Sequence, residues 1–135
     1  MVCIKILIIT FLAALSAAIP QSPASIFARG QCDTNYQGGV YVCSNPGFTG
    51  KCDYVDLMTK NEFGGCKRLP NTRIASFGPS AGLTCWAWTD QHCGQSLTFQ
   101  GFPSEVLKDL QCPGHSDLFL TGFNNRLLSF RCDKT

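Results

Sequence analysis

Asn71-Thr-Arg-Ile-Ala-Ser-Phe77 and Asn124-Asn-Arg-Leu-Leu-Ser-Phe130 are two versions of one phrase. Asn, Arg, Ser and Phe recur in register, and the apolar Ile74 and Ala75 meet Leu127 and Leu128. Upstream of each copy the same signals come in the same order: a β-prone run, a tight turn ending in Gly, and a second run. In the first copy these are residues 40–44, 48–50 and 52–57; in the second they are 83–88, 92–94 and 95–99. The chain therefore reads as two units, of about 40 and about 50 residues, of one supersecondary design. A four-stranded unit with a tight first hairpin and a long return is a Greek key. One copy cannot bury its apolar face alone, whereas two packed together can. The expected fold is all-β: two tandem Greek-key motifs, 39–79 and 83–133, forming one disulfide-stapled β-sandwich over residues 39–133. At most one short helix is expected, at residues 102–110 (FPSEVLKDL). There Pro103 suits a first turn, and Val106, Leu107 and Leu110 make an apolar stripe.

The start of the chain sets the expected compartment. Residues 1–18 read as a secretory signal, with Lys5 as the charge, 6–18 (ILIITFLAALSAA) as the apolar run, and Ser16 and Ala18 as the small residues at cleavage. A membrane anchor is the rival reading, but a bilayer core needs ~20 apolar residues. A buried core helix fits poorly with the Pro- and Ser-containing stretch IPQSPASIFARGQ that follows. Residues 19–38 are then an N-terminal extension. No later stretch is apolar enough to span a membrane, and the expected localisation is extracellular.

Cysteine usage agrees without depending on the leader. Of nine cysteines, Cys3 falls in the signal, leaving Cys32, Cys43, Cys52, Cys66, Cys85, Cys93, Cys112 and Cys132. Eight in a small secreted chain read as four disulfides. Zinc sites usually draw ligands in close pairs, and no two of these eight lie closer than eight positions. The connectivity stays open, since eight cysteines allow 105 pairings. Eleven Lys and Arg face nine Asp and Glu, and losing Lys5 leaves about +1. The charges are scattered, with Lys67-Arg68 the only adjacent basic pair. A nucleic-acid partner wants a clustered basic face, so none is expected.

These features resemble a βγ-crystallin-type Greek-key domain. Its hallmark is an aromatic, a short run, then aromatic-x-Gly, which Tyr41, Phe48 and Gly50 match with one extra residue of spacing. The second half starts with Cys85-Trp86 as the second motif of that family often does, although His92 replaces the aromatic before Gly94. Cys93-Gly94 and the closing Leu127-Leu-Ser-Phe-Arg-Cys132 are more similar to the secreted antimicrobial and killer-toxin-like branch. The resemblance implies a small, cysteine-rich, secreted protein; function itself lives in sites rather than folds.

The resemblance brings a calcium motif of the form N/D-N/D-x-x-S/T-S, which makes Asn71, Ser76, Asn124, Asn125 and Ser129 weak calcium candidates. Ala75 and Leu128 stand where a hydroxyl ligand belongs, and neither copy supplies a carboxylate, whereas calcium takes six to eight oxygens. No metal and no cofactor is therefore expected. Trp86 and Trp88 share one face of a strand, opposite Cys85 and Ala87. They read first as core of the second key, and as a rival as an exposed surface for sugar stacking or a lipid interface. His92 and His115 read as loop residues, since no nucleophile motif accompanies them. No catalytic residue is assigned.

The leading expectation is a secreted, non-enzymatic binding protein, antimicrobial, killer-toxin-like or an effector. It would act as a monomer on a cell surface, a wall component or an extracellular protein. The alternatives are a proteinase inhibitor using the loop 111–122 (QCPGHSDLFLTG), tied by Cys112, and a calcium-stabilised structural crystallin-like protein.

Overall fold

The computed structural model describes residues 38–95, 98–99 and 102–135, together with Cys32. The expected leader, and the extension except for Cys32 and Gly38, lie outside the described residues. The strands are β1 (Gly39–Asn45), β2 (Thr49–Asp56), β3 (Lys67–Arg68), β4 (Ser76–Pro79), β5 (Leu83–Trp88), β6 (Thr98–Phe99), β7 (Phe102–Pro103), β8 (Val106–Leu110) and β9 (Ser129–Lys134). One sheet has the order β2-β1-β4 and the other β3-β9-β5-β8, with β6 and β7 as a separate two-stranded ribbon. All pairings are antiparallel.

The two sheets repeat one plan. β2, β1 and β4 of the first correspond to β8, β5 and β9 of the second, and each sheet takes its last member from the other half. β3 pairs with β9, while His115 forms a bridge to Phe77 of β4. This exchange binds the two Greek keys into one sandwich, because each key carries part of its partner's sheet.

The repeated phrase explains itself in the core. Phe77 and Phe130 are both fully buried and meet edge to face, 5.8 Å between ring centres at 76°. The preceding serines are buried too and do the same work: the Ser76 hydroxyl donates to the Asn45 carbonyl (2.9 Å), and that of Ser129 to the Asp90 carbonyl (2.6 Å). Val40, Val42, Leu57 and Ile74 from the first half, with Leu83, Ala87, Leu110, Leu118 and Leu127 from the second, fill the space between the sheets.

The first hairpin folds as its motif demands. Tyr41 stacks on Phe48, with ring centres 6.0 Å apart and planes inclined by 20°, forming a small outer cluster with Cys43. Gly50 has φ +81°, and a Cβ there would fall 2.5 Å from the Ser44 hydroxyl, so a side chain is excluded.

Two expectations fail. The segment 102–110 is not a helix but β7 and β8. In the second half the partner of β5 is β8, not the expected run at 95–99, of which Gln95 and β6 are described and β6 pairs with β7. The second key thus carries an excursion between the turn at 90–94 and its second strand.

The disulfides are Cys43–Cys52, Cys85–Cys132, Cys66–Cys93 and Cys32–Cys112. The first two join residues directly opposite on paired strands, β1 with β2 and β5 with β9. Cys66–Cys93 crosses from the first key to the turn after β5. Cys32–Cys112 ties the N-terminal extension to the chain just after β8.

Candidate functional site

The loop after β8 is pinned along its whole length. Its peptide Cys112–Pro113 is cis, and Gly114 follows at φ +81°. A Cβ on Gly114 would lie 2.1 Å from the Phe77 carbonyl oxygen, so only glycine lets the loop come this close to β4. His115 and Phe77 exchange two backbone hydrogen bonds, of 2.9 and 3.0 Å, and the Gly47 N–H donates to the Ser116 carbonyl (2.7 Å). The Leu118 N–H donates to the Ala75 carbonyl (2.8 Å), and the Leu118 side chain is fully buried.

From that anchor the chain makes a single 3-10 turn, Leu118–Thr121. Asp117 caps it by accepting from the Phe119 N–H (3.0 Å), and left-handed Gly122 closes it by donating to the Leu118 and Phe119 carbonyls. Arg126 braces the exit: its Nη1 donates to the Gly122 carbonyl (2.9 Å) while its guanidinium lies 5.8 Å from the Phe123 ring centre. At the tip of this braced turn Phe119 is 72% exposed and Leu120 83%, against 48% for Met58 and 39% for Tyr54. Loop 111–122 was legible as a loop; its apolar tip was not singled out.

Trp86 and Trp88 are not core. β5 turns Leu83, Cys85 and Ala87 inward and leaves both indoles half-buried on the outer face of the sheet. Ala87 lies opposite Phe130, so the small residue faces the large one and the tryptophans take the other side. The Arg131 guanidinium sits 5.2 Å from the Trp86 ring centre. In the first key Phe48 covers Tyr41; the turn of the second key offers Cys93 instead, held in its disulfide with Cys66.

The calcium candidates serve the backbone. Ser76 and Ser129 hold the carbonyls of Asn45 at the end of β1 and of Asp90 in the turn after β5, Asn71 Oδ1 accepts from the Arg73 N–H (3.0 Å), and Asn125 is left-handed at φ +56° with its N–H on the Ile74 carbonyl. Asn124 is half-buried in the same loop. Among the described residues no three or more of His, Cys, Asp and Glu gather as metal ligands would. His92 is exposed in the turn after β5, and His115 belongs to the backbone bridge.

Asp90 is a polar centre that residue types and motifs do not single out. It is 1% exposed. Its carboxylate accepts from the Ser104 hydroxyl (2.6 Å) and from the N–H groups of Gly94 and His92 (both 2.8 Å). It thereby organises the turn and ties the segment entering β8. Burial pushes its carboxyl up, but the Ser104, His92 and Gly94 donors outweigh burial and hold it below the usual carboxylate range. A lowered folded pKa gives stability that is present above the ordinary value and lost as pH falls through the folded one. Asp90→Asn is expected to cost about 1–3 kcal/mol at pH 7, because an amide turns donors toward donors. The gap to wild type should begin to narrow below about pH 4 and go on narrowing as pH falls through the lower folded value. Urea melts at pH 7 and pH 3 check this, and a gap that stays constant with pH would remove the carboxylate's charge from the explanation.

Solved structures share this fold. A structure solved in work on the evolution of the eye-lens βγ-crystallin domain fold aligns with a TM-score of 0.50 at 14% identity, over 73% of this chain and 87% of that one. A βγ-crystallin domain of the Abundant Perithecial Protein from Neurospora crassa, in a Ca2+-bound form, aligns at 0.44 and 18% identity, over 72% and 89%. One from Flavobacterium johnsoniae aligns at 0.45 and 20%, over 71% and 94%. No protein-family model and no curated protein matches the sequence.

Proposed function

We propose, starting from the βγ-crystallin fold that this chain adopts, that it is a secreted, non-enzymatic binding module of the antimicrobial, killer-toxin-like or effector kind. It acts at a cell surface, on a wall component or on an extracellular protein, and its contact element is the loop 111–122. The observation that carries this reading is the Phe119–Leu120 tip, two large apolar side chains held in water by a braced turn. Adjacent large apolar side chains held in solvent by a braced turn are a surface feature of the kind that marks interaction sites. Four disulfides fit an oxidising compartment. No helix among the described residues is long and apolar enough to cross a membrane.

The inhibitor reading places the same loop in a protease cleft. Recognition by strand addition needs an extended backbone with free N–H and C=O groups. Here the turn is 3-10 and uses those groups internally, which favours contact through side chains alone. The structural reading, with calcium as the stabiliser, predicts a rise of several degrees in melting temperature at millimolar calcium.

Retention of the full mature chain on chitin, glucan, liposomes and a set of proteases, with growth assays on microbes, tests the proposal. Wild type should bind one surface component, and Phe119→Ser/Leu120→Ser should lose that binding while melting at an unchanged temperature. Equal retention of the two proteins would move the contact elsewhere. Failure to bind any of these, combined with a clear calcium shift, would replace this reading by the structural one.

A further inference from the structure

The two keys can be compared residue by residue, and the comparison isolates a piece of chain. The Leu69 N–H donates to the Leu128 carbonyl (2.9 Å), and the Leu118 N–H donates to the Ala75 carbonyl (2.8 Å). Ala75 and Leu128 are equivalent in the repeat, so Leu69 and Leu118 are equivalent anchors. Asn124 lies 53 positions after Asn71, but Leu118 only 49 after Leu69. The second loop is therefore four residues longer between anchor and repeat. Those four fit Phe119-Leu-Thr-Gly122, the segment that carries the exposed tip. The first key closes the same connection without them, so the fold does not require them.

We infer that this four-residue insertion is a shallow anchor for the interfacial zone of a lipid bilayer. The inference rests on the binding-module reading and names its partner. Three observations favour lipid. At 72% and 83% exposure the side chains stand clear of walls, so the tip is a convex point and not a groove. Two side chains offer a few hundred Å² at most, while a specific protein interface or a dimer takes roughly 800 Å² per partner. The turn also pairs several of its backbone groups internally: Phe119 N–H on the Asp117 carboxylate, Gly122 N–H on the Leu118 and Phe119 carbonyls, and Phe123 N–H on the Leu118 carbonyl. Hydrocarbon accepts a backbone only when its polar groups are already paired, and Phe and Leu are among the residues that enter it most readily.

Charge decides which lipid. Around the base of the tip stand Asp117, which caps the turn, and the Arg126–Glu105 pair at 2.9 Å. These groups carry no excess of positive charge, so attraction to anionic headgroups adds little and insertion is apolar. The anchor should therefore take zwitterionic membranes and resist salt.

Flotation with vesicles of phosphatidylcholine alone, and with one-fifth phosphatidylserine, tests this on the mature, oxidised chain. Wild type should bind both within about threefold, and raising salt from 0.1 to 0.5 M should change binding less than about twofold. Removing one buried Phe or Leu lowers partition roughly 10- to 150-fold, so Phe119→Ser/Leu120→Ser should lose at least ~100-fold. Deleting residues 119–122 should lose as much while keeping the wild-type melting temperature, as the first key implies. Leu120→Trp should keep binding and shift its emission to the blue on phosphatidylcholine vesicles. Binding that needs phosphatidylserine and dissolves in salt would overturn the inference, as would equal binding by the serine variant. Absence of vesicle binding together with Phe119-dependent retention on glucan, chitin or a protease would sink lipid alone. Absence of both would sink the module reading with it.

Discussion

Replacing Phe130 by alanine is expected to cost about 3–5 kcal/mol, and replacing Phe77 the same, because each empties a fully buried site at the centre of the sandwich. Against the ~5–15 kcal/mol that holds a typical domain together, either variant should lose a large share of its stability. A domain near this size shifts by about 4–8 °C per kcal/mol, so a fall of at least ~12 °C is expected. The near-equality is the informative part. Phe77 meets Val42 across β1 and β4, and Phe130 meets Ala87 across β5 and β9, so the two rings occupy matching positions in the two keys. The double variant should lose less than the sum by about 0.5–1.5 kcal/mol, since the edge-to-face contact can be lost only once. Denaturant melts with the disulfides intact measure all three. A loss under 1 kcal/mol at either position would mean that the repeat is a pattern of the sequence without an equal share in the energy.

The repeat was legible because two demands recur unchanged. Each key needs a buried aromatic at the centre and a hydroxyl that ties the chain at the end of its first strand or just past it, and only Phe77 with Ser76, or Phe130 with Ser129, meets both. Where geometry departed from regular strands, the pattern misled. Leu107 and Leu110 lie three apart and look helical, yet both face β5, opposite Ala87 and Cys85. A bulge supplies the extra residue, with Asp109 at φ +55°, and so converts a period of two into an apparent helical stripe.

Trp86 and Trp88 misled for another reason. Alternation separates the residues of a strand into two faces but does not say which is inner. The inner face is set by partners distant in sequence, Phe130 above Ala87 and Cys132 opposite Cys85. The tip at Phe119 and Leu120 was hidden in the same way. Its four-residue excess is visible only once Leu69 and Leu118 are known to be equivalent, which their hydrogen bonds establish.

Loss of the Cys85–Cys132 bond should weaken the protein more than loss of Cys43–Cys52, although both join opposed strands. The first closes 47 residues and the second nine. Loop-closure entropy assigns them about 4 and about 2.6 kcal/mol, and Cys85 and Cys132 also leave a small void among the core residues when truncated. Cys85→Ala/Cys132→Ala is therefore expected to melt at least ~15 °C below wild type, and Cys43→Ala/Cys52→Ala roughly 10–20 °C below. Full reduction removes four cross-links whose separate effects do not add, and it should leave the chain unfolded at 37 °C. Circular dichroism melts of both double variants, and of wild type with reductant, settle the order. An unchanged melt under full reduction would show that the two packed keys hold the sandwich by burial alone. Equal losses in the two variants would mean that local strand geometry, not loop length, sets what each bridge contributes.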